Sequence, residues 1–439
     1  MKQDQIGDEF MEYPLIRECI ANGVYFSSIT DKKFKHNRIS VNLIVKLDRE
    51  KVTDRAVVPF ILRQGSKNCP DFTDLNKKLC DLYGASLDAG VDKIGEYQMI
   101  TLGIIGVDNR FALSGEDMVQ ECTRMLCEIV LEPDITDGKF NAKNTDLEKQ
   151  YLLETISSEI NDKRTYANIR CKDIMCKDEA CAIKKYGYAE DAQKITPESA
   201  AKAYQELIET AQVEIMFEGC GDPNAAKEIF RKKFAEITRN PISIAKCCTR
   251  PQQGEVKQVV EKMDVKQGKL VMGFRVENMD SYTKMNAERV AIGLFGGTAS
   301  SFLFKNVREK MSLCYYCSSQ YDRHTGIMMV YSGVEAVNAQ KAKEAILAQL
   351  EMMQRGDFSE KDLEETKLFF KTALKATGDS LGAMDGWYLA QIMGGTEVSP
   401  DMEIELCSKA TKQDVIDAVN CVKLDTVYML MPQDEKEGE

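Results

Sequence analysis

The chain has 439 residues, a formal net charge of −12, 44% apolar residues and 15 cysteines. That length predicts at least two domains with a sizeable core, and the acidic balance argues against a nucleic-acid polyanion as partner. No run is long and apolar enough to span a bilayer, and the polar start Met1-Lys2-Gln3-Asp4-Gln5 lacks a signal-peptide core. With so many cysteines and no small secreted framework, this predicts a cytoplasmic protein.

Taken in chain order, the first clear element is a strand. Ile39, Val41, Leu43, Val45 and Leu47 recur at every second position, as in a half-buried strand. The preceding Lys32–Lys35 run reads as a solvated hairpin tip. A helix follows from Ala56 to Arg63 and stops near Gly65; a second starts at Thr73, buries Leu75, Leu79 and Leu82, and ends at Gly84. Strands come next around Tyr97–Ile105, then a helix over Glu116–Val130.

The second half replays this order. A strand is predicted near Lys269–Val276, a helix from Asn286 to Phe295 that stops at Gly296-Gly297, and another helix before Ser312. A strand pair follows at Tyr315–Gln320 and Ile327–Ser332, then a helix over Ala339–Met353. Two local signals tie the halves together. Asp146-Leu147-Glu148 and Asp362-Leu363-Glu364 each open a long helix, 216 residues apart. Thr196, with Pro197 behind it, and Thr411, with Asp414 three residues on, each cap a helix, 215 residues apart. The agreement predicts an internal duplication. The fold class expected is α+β: two homologous halves, 1–240 and 255–439, each a mostly antiparallel sheet with helices packed on one face. Pro241 and Pro251-Gln252-Gln253-Gly254 mark the linker.

Only two histidines exist, His36 and His324, each in a polar turn. Hydrolytic zinc sites usually take two or three. Both read as solvated loop residues, so neither a metal nor another cofactor is expected. Cys314 and Cys317 form a lone Cys-x-x-Cys in a strand, without the second pair of a zinc ribbon or the strand-to-helix turn of a redox motif; they read as small buried residues. Cys171, Cys176 and Cys181, five apart, spread around a helix, and Cys247-Cys248 falls in the linker or a strand.

The segments Gly296-Gly297-Thr298-Ala299-Ser300-Ser301-Phe302-Leu303-Phe304, Val307-Arg308-Glu309-Lys310 and Leu313-Cys314-Tyr315 resemble a signature of the pitrilysin/insulinase-type, mitochondrial-processing-peptidase-like metallopeptidases. Lys185-Tyr186-Gly187 with Ile195-Thr196-Pro197-Glu198 resembles that family's Tyr-Gly…Ile-Thr segment. The family's catalytic His-x-x-Glu-His holds zinc through two histidines on one helix face and activates water with the glutamate. Counted back from Gly65-Ser66, those positions here are Ala56, Pro59 and Phe60, and the third-ligand position is Thr155. Ala56, Pro59 and Phe60 can neither bind a metal nor move a proton, and Glu154, beside Thr155, is a single carboxylate that cannot rescue the site. Gly84-Ala85-Ser86-Leu87-Asp88-Ala89 also departs from the family's Asn-Ala, which removes an expected substrate contact.

Asn161-Asp162-Lys163-Arg164-Thr165-Tyr166-Ala167 resembles the bacterial branch that lacks the zinc motif and accompanies a zinc-bearing sister. The resemblance therefore implies a catalytically incomplete subunit that pairs with a zinc-bearing peptidase of the same fold, or with a second copy of itself, and helps position a peptide. It implies that Arg308 and Tyr315 reach the substrate, the arginine through its fork and the tyrosine as an oxyanion donor. The competing expectation is a structural or binding protein of the same fold with no part in proteolysis.

Overall fold

Eleven residues, His36–Lys46, form a long strand of the first half, β3, and nine of them are buried, on both faces. The alternation of Ile39, Val41, Leu43 and Val45 predicts one wet face. The structure instead covers the polar face as well, so Arg38, Ser40 and Asn42 are buried too. In the computed structural model, residues 15–245, 250–251, 254–277 and 282–433 are described. Cys247, Cys248, Gln252 and Gln253, which belong to the predicted linker, lie outside them.

Around β3, a six-stranded sheet joins β1 (Ile16–Ala21), β2 (Val24–Thr30), β4 (Ser86–Ile94), β5 (Tyr97–Val107) and β8 (Gln212–Gly219) in the order β1-β2-β8-β3-β5-β4. Every pairing is antiparallel except β2 with β8. Because β8 lies between β2 and β3, Lys32–Lys35 belongs to a crossover loop and not a hairpin tip. Residues Ile135–Thr136 (β6) and Lys139–Phe140 (β7) make a separate two-stranded ribbon.

The second half builds a five-stranded sheet from β9 (Lys257–Met263), β10 (Gly268–Val276), β11 (Cys314–Asp322), β12 (Ile327–Val334) and β13 (Val422–Pro432), in the order β11-β12-β10-β13-β9. Its single parallel pair is β13 with β9. Read from the other edge, this is the order β2-β8-β3-β5-β4 again, with the parallel pair in the same place. The duplication seen in the capping signals is thus carried through the topology.

The capping chemistry is local and appears as expected. Thr196 and Ser199 close a reciprocal capping box on Pro197–Thr210, and Thr411 and Asp414 close another on Lys412–Asn420. Other boundaries move. Asp71, not Thr73, caps the helix Phe72–Asp81 by accepting from the Asp74 amide. Asp146-Leu147-Glu148 lies a turn inside its helix, Ala142–Ser158. The helix Tyr282–Ile292 widens into a π turn over Gly293–Gly297 and so ends at Gly296-Gly297, as expected, with Thr298 as its extended cap.

Two compact units result, and neither is a single stretch of chain. One comprises the described residues of 1–157, 183–246 and 377–399; the other those of 158–182, 247–376 and 400–439. In the first, the main helical layer and inward faces of β2, β3, β5 and β8 form a large core around Val41, Leu43, Leu102 and Ile215. The opposite sheet face receives Leu381–Met393 through Met384, Tyr388 and Leu389 against Ile29 and Met216. In the second, Leu270, Met272, Phe274 and Val330 face the helical layer. Val271, Met329, Tyr331 and Tyr428 pack against Ala167, Cys171 and Met175 of the helix Lys163–Met175. The two added helices follow corresponding long helices, Ala142–Ser158 and Glu360–Thr377. Each half therefore contributes the same element to the unit formed mostly by the other.

Candidate functional site

Arg308 is placed by a wide π turn, Leu303–Lys310, whose Leu303 and Val307 are buried in the core of the second unit. Such single π segments often mark functional sites. The segment is anchored laterally: Asn306 Nδ2 donates to Gln349 Oε1 at 2.5 Å, and Lys305 Nζ lies 3.1 Å from Glu365 and 3.5 Å from Asp362. Gly296, in the preceding π turn, passes so close to β11 that a Cβ would stand 2.8 Å from the Ser319 amide. Only glycine admits that approach. The chain then reverses through Ser312, which holds a left-handed φ of 52°, and enters β11.

This turn brings Arg308 and Tyr315 side by side. Arg308 Nε donates to the Tyr315 carbonyl at 2.9 Å, and the guanidinium carbon sits 4.5 Å from the centroid of the Phe304 ring. One edge of the fork is thereby fixed, while its terminal nitrogens make no hydrogen bond or ion pair within the described residues. The Tyr315 side chain is 60% exposed. Its hydroxyl donates to Glu335 Oε1 at 3.2 Å, and that carboxylate pushes the phenol pKa upward. Arg308, Glu309, Cys314, Tyr315, Glu335 and Asn338 line an open pocket of about 550 Å³. Cys314 is half-buried in its wall and Cys317 is buried, so only the second matches the expectation of small buried cysteines.

The residues that counting back from Gly65-Ser66 assigns to the zinc motif lie on the helix Val52–Leu62 in the first unit. Ala56 and Pro59 are buried and Phe60 packs against the same core. Thr155, on Ala142–Ser158, turns its hydroxyl to the Tyr151 carbonyl at 2.8 Å. The nearby Glu148 is buried and accepts a hydrogen bond from Gln64 Nε2. Burial raises its pKa, against the lowering effects of Gln64 and Arg63. The Tyr186-Gly187 segment serves packing here: Gly187 (φ 76°) lies against Thr53, where a Cβ would stand 1.9 Å from the hydroxyl oxygen, and Tyr188 N donates to that oxygen at 3.2 Å. His36 is exposed at the start of β3, whereas His324 is half-buried, and burial lowers its pKa. The expectation that both are solvated is therefore corrected for His324.

Among the described residues, one group of three ligand-type side chains converges: Cys176, Glu179 and Cys181, with ligand atoms all within 4.8 Å. Their spacing on a continuous helix would separate them. The helix ends at Met175, with Cys176 as its cap, and the chain folds back through Ala180–Ala182. Arg275 donates to both oxygens of Glu179 and, through Nε at 3.3 Å, to Asp425. The carboxylate is thus committed to a guanidinium, which makes this a buried ion-pair cluster with two thiols. The spacing of five gave no sign of it.

Two further buried polar groups escaped sequence reasoning. Arg38 Nε donates to Asp385 Oδ2 at 2.9 Å, and Ser40 Oγ donates to Asp385 Oδ1 at 3.1 Å. Glu218, beside them, is fully buried, and its carboxyl pKa is pushed well above the usual range by burial and by the Asp385 charge. In the other unit burial pushes Glu288 up to about 8. A polar residue in an alternating strand was the only signal for Arg38, and it indicated solvent.

Against known proteins, residues 194–368 match the family model described as the peptidase M16 inactive domain. The chain is 30% identical over 402 residues to the probable inactive metalloprotease YmfF of Bacillus subtilis, covering 92% of this chain and 94% of that protein. It is 25% identical over 179 residues to the uncharacterized zinc protease YmxG of the same organism, 40% of this chain and 41% of that one. Among solved structures, a conserved protein from Enterococcus faecalis superposes with a TM-score of 0.89 at 26% identity, over 96% of this chain and 100% of that one. A peptidase M16 inactive domain from Pseudomonas fluorescens superposes with a TM-score of 0.76 at 14% identity, over 97% and 100%.

Proposed function

For a chain that belongs to the M16, or pitrilysin/insulinase-type, peptidase family and is an inactive homologue within it, we propose a role as the peptide-positioning subunit of a two-subunit peptidase. The zinc and its water would come from a partner of the same fold. This chain would bring Arg308 and Tyr315. The observation that carries the proposal is the Arg308 fork: Nε is spent on the Tyr315 carbonyl and the plane is held over Phe304, yet the terminal N–H groups are left for a ligand. A guanidinium so held loses little freedom when it grips a peptide carbonyl or terminal carboxylate. Tyr315 can release Glu335 and turn its hydroxyl to an oxyanion, a donor worth roughly 100- to 1,000-fold in turnover when well aimed.

The reading of a purely structural pocket draws on the same contacts, since Tyr315 is already satisfied by Glu335. The two readings separate in one experiment. The chain is purified from its native cell, its zinc-containing companion of similar size is identified, and cleavage is measured for the reconstituted pair with Arg308→Ala or Tyr315→Phe. The expected result is a loss of about 100-fold in turnover with an unchanged melting temperature. Unchanged turnover in both variants, or no zinc-bearing companion, would favour the structural reading.

A further inference from the structure

Along a regular strand, residues three apart point to opposite faces. Cys314 and Cys317 do not. In the β11–β12 ladder Cys314 pairs with Val334 while Tyr316 pairs with Gly333, so Tyr315 is an extra residue in a β-bulge. The bulge cancels one alternation. Cys317 consequently lies in the helical-layer core and Cys314 packs against that same core, whereas Tyr316 between them joins the cluster on the other sheet face. The two thiols share a side of the sheet but differ in access: Cys317 is 3% exposed, and Cys314 opens into the Arg308 pocket.

We propose that Cys314 is a site of reversible thiol oxidation by a small peroxide, with Cys317 as its resolving thiol. The electrostatics suit the assignment. The neighbouring Cys317 thiol lowers the Cys314 pKa to about 7 against the opposing effect of burial, and the Ser332 hydroxyl and the Arg308 charge add to the lowering. Cys317 is itself pushed well up and stays protonated. Cys314 is then the thiolate nucleophile and Cys317 the proton-bearing reserve.

The chemistry takes two steps. The Cys314 thiolate attacks one oxygen of hydrogen peroxide; the O–O bond breaks, leaving Cys314 sulfenic acid and hydroxide. Cys317 then attacks the sulfenic sulfur, an S–S bond replaces the S–O bond, and the Cys317 proton leaves with the hydroxyl as water. Two electrons pass from the two thiols to peroxide. Two equivalents of an external thiol reverse the change. The disulfide would join residues on either side of the bulge that carries Tyr315, so it would form beside the pair that lines the pocket.

The test uses the full-length protein treated with hydrogen peroxide, alkylated and mapped by mass spectrometry. The expected product is a Cys314–Cys317 disulfide that dithiothreitol removes. Cys317→Ser should instead accumulate a dimedone-reactive sulfenic acid at Cys314, and Cys314→Ser should leave Cys317 reduced. Alkylation of Cys314 should show a midpoint near pH 7, against about 8.5 for an ordinary thiol, and Arg308→Gln should move it upward. The exposed Cys19 and Cys80 serve as internal references. Circular dichroism checks that the serine variants fold. The proposal is overturned if Cys314 titrates like an ordinary thiol, or if peroxide oxidises Cys19 or Cys80 while Cys314 and Cys317 remain reduced.

Discussion

Asp385→Ala tests how the helix Leu381–Met393 is held to the first sheet. Asp385 is 5% exposed and accepts from Arg38 at 2.9 Å and from Ser40 at 3.1 Å. Removing one member of such a buried pair leaves an uncompensated charge and typically costs about 3–5 kcal/mol. Two features reduce that figure. Arg38 keeps Asp88 at 3.0 and 3.2 Å, although the Asp88 side chain is half exposed and its attraction is screened. Glu218 stands opposite Arg38 in the β3–β8 register and, once the Asp385 charge is gone, loses one of the causes that keep it protonated. The expected cost is therefore about 2–4 kcal/mol. Asp385→Asn, which keeps an acceptor for Arg38, should cost roughly half as much. Adding Glu218→Gln to Asp385→Ala should cost more than the sum of the single changes, because it removes the substitute anion.

The assay is urea denaturation followed by fluorescence. Trp387 is the sole tryptophan, two residues along the same helix, and its indole N–H donates to the Val398 carbonyl at 2.8 Å. It reports the docking of this helix directly. A shift below about 0.5 kcal/mol for Asp385→Ala, the range of ordinary surface changes, would refute the view that this buried pair holds the helix.

Glu288 predicts a pH dependence in the second unit. Its folded pKa is about 8 against 4.5 unfolded, so between those values the unfolded chain ionises while the folded chain keeps its proton, and stability falls as pH rises through this window. The slope is at most about 1.4 kcal/mol per pH unit. Glu288→Gln should flatten it in melting curves between pH 5 and 8; identical slopes would remove Glu288 as the cause. Restoring the motif as Ala56→His, Pro59→Glu and Phe60→His should yield neither tightly held zinc nor cleavage of unfolded peptides. Thr155 supplies no third ligand, Glu148 is engaged by Gln64, and Ala56 is fully buried where a larger ring must displace core atoms. Metal analysis showing about one zinc per chain would contradict this.

How much of this was legible before folding depends on the range of the interaction concerned. Caps act within four residues, so Thr196 and Thr411 declared their helices, and their common offset disclosed the duplication that both sheets then display. That Ala56, Pro59 and Phe60 cannot bind a metal is likewise a property of residue identity and needs no fold. Burial is not. Arg38, Ser40 and Asn42 carry the pattern of a solvated face, and only the return of residues 377–399 to the first unit covers them. Cys176 and Cys181 meet because a helix ends at Met175, and Cys314 and Cys317 share a face because one extra residue bulges from β11. Local sequence determines where helices start, which residues can bind a metal and which repeat. Which polar groups lose water, and which thiols share a face, is decided by distant segments and by strand register, where a slip of one residue reverses every side chain beyond it.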